Sequence, residues 1–376
     1  MPKITHLGKF YHPDSGGIEG VTRTLAEGAI ASGYDVDVVC FSKSGHYQPG
    51  EEIGGVRVLR ASTLTTIKSQ PISITYLRNA IYCGSTSDIV HIHLPNMLAA
   101  FASLFIEPSK LVIHWHSDVV GKGILGLLFK KLENISLKRA KRIIATTEIY
   151  AKSSKELRDH LEKVTVIPLG CKDFGAQWIQ RGEISLSEEI DDFVKDHNLI
   201  LSVGRLVPYK GFDVLIEAAQ YLDANIVVAI IGSGPLLDEL QKKIDSLGLA
   251  RLVKLFGRQG DAELLEFYKR AQIFCLPSID RSEAFGLVLP EAMSFGLPII
   301  ATKISGSGVP WVNQHGITGL NVEVKNPYSI ANACNQIIRS KQERYAYSQG
   351  SRIRYLTEFK EELEIQRTLA LYKNFL

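Results

Sequence analysis

Short runs of β-branched and other apolar residues alternate along this chain with stretches in which apolar positions return every three or four residues, the patterns of buried strands and of amphipathic helices. Residues 4–10 predict a strand, a Gly- and Pro-rich loop follows, residues 21–32 predict a helix and residues 36–41 a second strand. The same plan returns at 199–203, a Pro/Gly loop, 212–221 and 226–231. In each unit the second strand is a near-continuous apolar run, as expected of parallel strands covered on both faces. Two Rossmann-like halves are therefore expected. Further strands are predicted at 56–60, 89–93, 110–114, 142–146, 164–167, 253–256, 273–276 and 298–301, with helical patterns between most of them.

The polar stretch 171–196 carries charges with little apolar periodicity, so the boundary between halves is placed there, giving domains at 1–175 and 176–356. From residue 329 onward the pattern is helical and charged. Size agrees with this division, because 376 residues exceed the roughly 250 to 300 at which a single core stops growing. A balance of 43 basic against 40 acidic residues gives only +3, which argues against a nucleic-acid binder held by bulk charge. The five cysteines are scattered and form no C-x-x-C, so neither a disulfide framework nor a zinc cluster is expected, and a reducing cytoplasm is. The N-terminus has no apolar signal core, and the longest uncharged apolar stretch, 97–106, falls short of the roughly 20 residues of a membrane span. A soluble or peripheral protein follows.

The most informative motif is EAFGLVLPE at 283–291, which sets Glu283 and Glu291 eight positions apart around a glycine turn that opens a helix. Carboxylates accept hydrogen bonds from vicinal hydroxyls, while free amides at a helix N-terminus favour an anion, so the pattern suits a nucleotide sugar. Upstream, SVGRLVPYKG at 202–211 places Arg205 and Lys210 after a strand and before a helix. A planar fork and a flexible point charge suit a diphosphate with charge on several oxygens. Gly16 and Gly17 likewise stand between a strand and a helix. Their backbone can approach a ligand closely, or the segment can simply form a tight turn.

Together with Gly16-Gly17-Ile18-Glu19, these segments resemble the family 4 retaining glycosyltransferases, and the resemblance covers nearly the whole chain. It implies the α/β GT-B fold: two Rossmann-like, doubly wound parallel-sheet domains facing across a cleft, with the last helix, 357–376, packing back onto the first. By the same resemblance Glu291 meets the ribose hydroxyls and Glu283 the donor sugar. The amides of Phe285, Gly286 and Leu287 lie near sugar and phosphate, the Gly17 amide meets the donor phosphate, and His116 hydrogen-bonds the transferred sugar. Retention is implied too, with reaction on one face of the sugar and the departing phosphate helping to deprotonate the acceptor. Arg205 and Lys210 would stabilise that leaving group.

Two glycine-rich loops, SGSGVPWVN from 305 and HGITGLNV from 315, resemble those of bacterial members that handle GDP-mannose or related GDP-sugars, including mannosyltransferases of O-antigen, polysaccharide and lipopolysaccharide synthesis. The expected activity is a hexosyltransferase moving mannose from GDP-mannose to a hydroxyl of a lipid-linked glycan or polysaccharide. The nucleotide sugar is a co-substrate; no cofactor and no catalytic metal are expected. Gly257 and Arg258, after the strand at 253–256, are placed at the base pocket, with a solvated loop as the competing reading.

Other readings compete at several positions. Glu283 can cap the helix and Glu291 lie on its surface. The pairs His91/His93 and His114/His116 each put two imidazoles on one face of a strand, which suits a metallohydrolase, although no carboxylate-rich motif completes such a site. Asp35-Val-Asp37 matches the Asp-x-Asp pattern of metal-dependent transferases but begins a buried-looking strand. Ser117 or Asp118 reads as a helix cap. Segment 123–142 interleaves apolar residues with six cations, fitting either an anionic membrane surface or an amphipathic domain helix. A sugar-nucleotide epimerase or hydrolase of the same architecture, or a catalytically silent sugar-nucleotide-binding module, are the alternatives to transfer.

Overall fold

The computed structural model describes residues 1–14, 16–43, 48–67, 70–119 and 123–376. The chain divides into two compact units, Met1–Gly170 with Glu361–Leu376, and Cys171–Lys360. The first contains β1 (Lys3–Leu7), β2 (Asp35–Phe41), β3 (Gln48–Ile53), β4 (Val56–Ala61), β5 (Thr65–Ile67), β6 (Gln70–Ile72), β7 (Ile89–Leu94), β8 (Leu111–Trp115), β9 (Arg142–Ala145) and β10 (Val164–Val166). Eight of these form one sheet in the order β10-β9-β8-β7-β1-β2-β4-β3, parallel except for β3, and β5 pairs with β6 in a separate hairpin. The second unit contains β11 (Asn198–Val203), β12 (Ile226–Ile231), β13 (Val253–Leu255), β14 (Ile273–Leu276), β15 (Ile299–Thr302) and β16 (Gly319–Val322). All six are parallel, in the order β13-β12-β11-β14-β15-β16.

Both sheets reverse their strand order beside their first strand, at β1/β7 and at β11/β14. In doubly wound sheets the crevice outside the carboxyl ends of such strands is where ligands bind. The apolar runs explain the central strands: β7, β8 and β12 are buried along their whole length. Strands β3, β5, β6 and β16 have no comparable run and were not expected. Short polar side chains open the helices, as where Ser73, Asn96 and Thr147 accept from the amides three residues on, at 3.0, 3.3 and 3.1 Å.

Residues 171–196 are not a bare link. They form helices Phe174–Arg181 and Glu188–Val194, fastened to the second unit by Arg352 on Asp173 (2.7 and 2.9 Å), by the Trp178 indole on Glu266 (2.7 Å) and by Arg270 on Asp191. Helix Phe174–Arg181 buries no residue and Glu188–Val194 buries only Ile190 and Val194, with Phe193 edge-on to Phe256, too few apolar positions over two turns to disclose either helix by periodicity. At the other end, helix Glu361–Tyr372 belongs to the first unit and lies on helix Gly17–Ala31, where a Cβ added at Gly28 would stand 2.7 Å from Ile365 Cδ1. The Gly170 amide donates to the buried Glu364 carboxylate at 2.8 Å, and burial pushes that carboxyl up to about 8.

Candidate active site

At the carboxyl ends of β11 and β14 the second unit assembles the predicted charged residues. Lys210 ends a single 3-10 turn, Pro208–Lys210, and Gly211 follows at φ +65°, where a Cβ would stand 2.3 Å from the Pro277 carbonyl oxygen. Only glycine fits that left-handed position against a strand end. The turn aims Lys210 Nζ at Glu283 Oε2, 2.6 Å away, with both side chains 9 % exposed, and Ser278 Oγ donates to the same oxygen at 2.8 Å. Burial alone would lower the lysine pKa, but the Glu283 charge outweighs it and the net shift is upward. Glu283 Oε1 has no partner among the described residues.

Glu291 lies on helix Val288–Ser294, is partly buried and accepts from Tyr268 Oη at 2.9 Å. Burial raises its pKa to about 7, with the Tyr268 hydrogen bond and the Lys210 charge pulling the other way. The surface and capping readings of the two glutamates are thereby corrected: Glu283 holds a lysine rather than the helix end, and Glu291 faces inward. Among the described residues the amides of Phe285, Gly286 and Leu287 donate to no protein acceptor, while the Phe285 ring packs edge-on against Phe359. Three consecutive free amides beside a cation suit an anionic oxygen.

The glycine-rich loop from 305 folds back onto the first carboxylate's backbone, with Ser307 Oγ donating to the Glu283 carbonyl at 2.5 Å and the Gly308 amide to the Ala284 carbonyl at 2.8 Å. Arg205 is exposed and has no protein partner among the described residues. Gly257 sits at φ +66° with its carbonyl accepting from the Gly232 amide at 2.8 Å, and Arg258 is exposed beside it. A cavity of about 700 Å³ in this unit, lined by Trp178, Lys269, Phe295, Tyr345 and Arg352 among others, contains none of the predicted residues.

The first unit fills the carboxyl ends of β1, β7 and β8 with imidazoles. Register sets His6 beside His91 and His93 beside His114, so alternation puts His6, His91, His93, His114 and His116 on one face. His93 bonds at both ring nitrogens, Nε2 to His6 Nδ1 and Nδ1 to His116 Nε2, each at 3.0 Å. His91 lies over His93 and His114 over His116, with centroids 4.6 and 4.0 Å apart, and His91 Nδ1 pairs with Tyr372 Oη. Burial pushes His6 and His116 down to about 3 and drives His91, His93 and His114 well below the ordinary histidine value, so all five are neutral at pH 7. His114, with both nitrogens unpartnered among the described residues, is a packed strand histidine.

Two triads, His6/His91/His93 and His93/His114/His116, bring ligand nitrogens within 4.8 Å of one another. Each contains a pair already joined by a hydrogen bond at 3.0 Å. Nitrogens sharing a tetrahedral zinc at 2.0 to 2.1 Å stand roughly 3.3 Å apart, with the ion between them. Imidazoles pointed directly at each other suit a shared proton better. Asp37, the second carboxylate of the Asp-x-Asp match, is buried in β2 between Lys3 at 3.0 Å and Arg57, which commits it to an ion pair. Asp118 accepts from the Trp115 indole at 2.9 Å and Ser154 Oγ at 2.7 Å, tying the end of β8 to the helix Glu148–Ser153.

The family described as Glycosyltransferase Family 4 matches residues 15–172, and that described as Glycosyl transferases group 1 matches residues 185–354. This chain is a family 4, group 1 glycosyltransferase. The glycosyltransferase is 29 % identical over 381 residues to the O-antigen chain mannosyltransferase C of Escherichia coli, an alignment covering 100 % of this chain and 99 % of that one. It is 30 % identical over 362 residues to the D-rhamnosyltransferase WbpZ of Pseudomonas aeruginosa, covering 94 % and 91 %. A glycosyltransferase crystal structure from Rickettsia africae superposes with a TM-score of 0.76 at 19 % identity over 100 % of this chain and 98 % of that one. The fold is GT-B, as the motifs implied.

Two features of this glycosyltransferase escaped sequence reading. His6 drew no attention, and His93 was seen only as half of a pair; the alternation of β1 and β7 would have placed them together had the strand order been known. Gly17 opens helix Gly17–Ala31, whose N-cap residue Gly16 supplies no side-chain hydrogen bond, and Ser15 lies outside the described residues. Helix Gly123–Arg139 forms as expected, but the side chains of Ile124, Leu125, Leu127 and Leu128 lie outside the described residues. Three of the segment's cations are held within the protein: Lys130 by Glu156 at 2.8 Å, Arg139 by the Ile106 carbonyl at 2.7 Å and Lys141 by the Asn374 carbonyl at 2.9 Å. Among the described residues no helix is long and apolar enough to cross a membrane.

Proposed function

We propose that this glycosyltransferase moves a mannosyl unit from GDP-mannose, with retention and without a metal, to a hydroxyl of a lipid-linked glycan or polysaccharide. The observation that carries the reading is the buried Lys210–Glu283 pair at the β11/β14 strand ends, flanked by three free amides and by Arg205. Lys210 and Arg205 stabilise the diphosphate as it departs, in a setting where burial strengthens each charge. Glu283 uses Oε2 to hold Lys210 and offers Oε1 to a sugar hydroxyl, Glu291 takes the ribose, and the amides of 285–287 take phosphate or sugar oxygens. Gly257 and Arg258 line the base pocket, the Gly17 amide meets a donor phosphate and His116 a sugar hydroxyl. The donor choice is supported by full-length similarity to a protein named as an O-antigen mannosyltransferase.

A D-rhamnosyl unit is the second candidate for transfer, because the other full-length relative is named a D-rhamnosyltransferase. Contact with an anionic membrane has less support, since three cations of its proposed surface are engaged within the protein. A thermal-shift screen across GDP-, UDP-, ADP- and dTDP-sugars tests the donor, because a ligand that binds only the native state raises the melting temperature by mass action. GDP-mannose should give the largest shift. A larger shift with a UDP-sugar would overturn the assignment.

A further inference from the structure

Three of the five clustered histidines form a ribbon. His6–His93 and His93–His116 have the same centroid separation, 5.3 Å, and ring planes only 23° and 13° apart, while their facing nitrogens are 3.0 Å apart. Rings with nearly parallel planes, wide centroids and nitrogens in contact are joined edge to edge. Each junction is therefore an N–H···N hydrogen bond lying close to the ring planes.

A neutral imidazole has one N–H and one bare nitrogen. His93 uses both of its nitrogens, so the ribbon must run in one direction from end to end. If His6 Nδ1 donates to His93 Nε2, then His93 Nδ1 donates to His116 Nε2, and the His116 proton sits on Nδ1. The reverse direction puts a proton on His6 Nε2. That atom is buried without a partner among the described residues. A buried N–H with no acceptor is the rarer and costlier defect, so the bare nitrogen belongs at His6 and the proton at the far end. His116 Nδ1, at that end, is not fully buried and has no partner among the described residues.

We propose that His6 and His93 are positioning residues that hold His116 in its Nδ1–H tautomer, making its outward nitrogen an obligate donor to a neutral oxygen such as a sugar hydroxyl. The sugar contact rests on the role given to His116 above; the tautomer lock does not. His91 and His114, stacked on the ribbon, keep water from its junctions, and Tyr372 fixes His91 in turn.

The test is long-range proton–nitrogen NMR on the full chain with ¹⁵N-labelled histidine, which reads the tautomer of each of the ten rings directly. Wild type should show His116 protonated at Nδ1, and His6 and His93 likewise. Protonation of His116 at Nε2 would overturn the proposal with no variant needed. His93→Leu should release His116 to a mixture of tautomers and lower kcat/KM about five- to tenfold, the worth of one hydrogen bond. His93→Asn, whose amide can donate from the Nδ1 position, should restore the Nδ1–H signal. An unchanged His116 tautomer in a folded His93→Leu variant would also refute the lock. Adding GDP-mannose should move the His116 Nδ1 resonance; a locked tautomer with no such movement keeps the ribbon and overturns the sugar contact, so the two failures are told apart.

Discussion

The two units share a strand plan and fill it with opposite chemistry. At β11/β14 the strand ends hold a buried cation and carboxylate 2.6 Å apart; at β1/β7 they hold imidazoles that burial keeps uncharged. The same topology therefore supplies a charged pole suited to a diphosphate and a neutral one suited to hydroxyls. What decides between them is local. A left-handed glycine and a short turn deliver Lys210, whereas simple alternation along β1, β7 and β8 delivers the histidines.

The largest effect expected from breaking this contrast is at Glu283. Glu283→Ala should abolish transfer and destabilise the second unit by about 3 to 5 kcal/mol, because it strands a buried lysine. A companion Glu283→Gln, Lys210→Met variant should recover much of the stability in a denaturant titration while remaining inactive. Activity in that double variant would remove the pair from the mechanism.

Acid should separate the units next. The folded histidines are neutral, with His6 and His116 at about 3, while unfolded histidine protonates near 6.5. Between those values the unfolded chain binds more protons, so stability is lost as pH falls below 6.5, with each histidine contributing up to about 1.4 kcal/mol per pH unit. Glu291 acts in the opposite sense: raised to about 7, it holds a proton when folded that the unfolded chain has lost, so stability falls as pH rises from about 4.5 to 7. Melting temperatures of Glu291→Gln and wild type should converge toward pH 4 and separate toward pH 7, with the variant the more stable. A constant difference across that range would contradict the shift.

Smaller effects sharpen the assignment. Arg205→Ala should weaken GDP binding about ten- to a hundredfold, the range for a hydrogen bond to a charged group, while leaving guanosine binding unchanged. Equal losses for both ligands in calorimetry would reassign it. The smallest expected effect is none at all: excess chelator should leave the rate of sugar transfer where it was, and a loss reversed by a divalent ion would end the metal-free mechanism.

Much of the fold could be read along the chain because buried parallel strands write themselves as apolar runs. Strands β12 and β14 occupy the residues expected, whereas β16, whose core is Gly-Leu-Asn-Val, carries no such signature. Helices Phe174–Arg181 and Glu188–Val194 were hidden because each is about two turns long and buries two apolar residues at most, beside ion pairs and an indole. The candidate site was legible as two local motifs, since the spacing of Arg205 and Lys210 and of Glu283 and Glu291 is short. Their junction was not: Lys210 and Glu283 are 73 positions apart, and His6 and His93 are 87. Such contacts depend on strand order, which no local pattern encodes.

Helix Glu361–Tyr372 closes the first unit from beyond the second, bringing Tyr372 to His91 and Glu364 to Gly170. During synthesis on a ribosome, every residue of the second unit emerges before that helix does. The second unit is thus complete in sequence before its predecessor, nearly all of whose residues were made earlier, receives its final clasp. A chain truncated just before Glu361 would carry every residue of the second unit beside a first unit that lacks its closing helix.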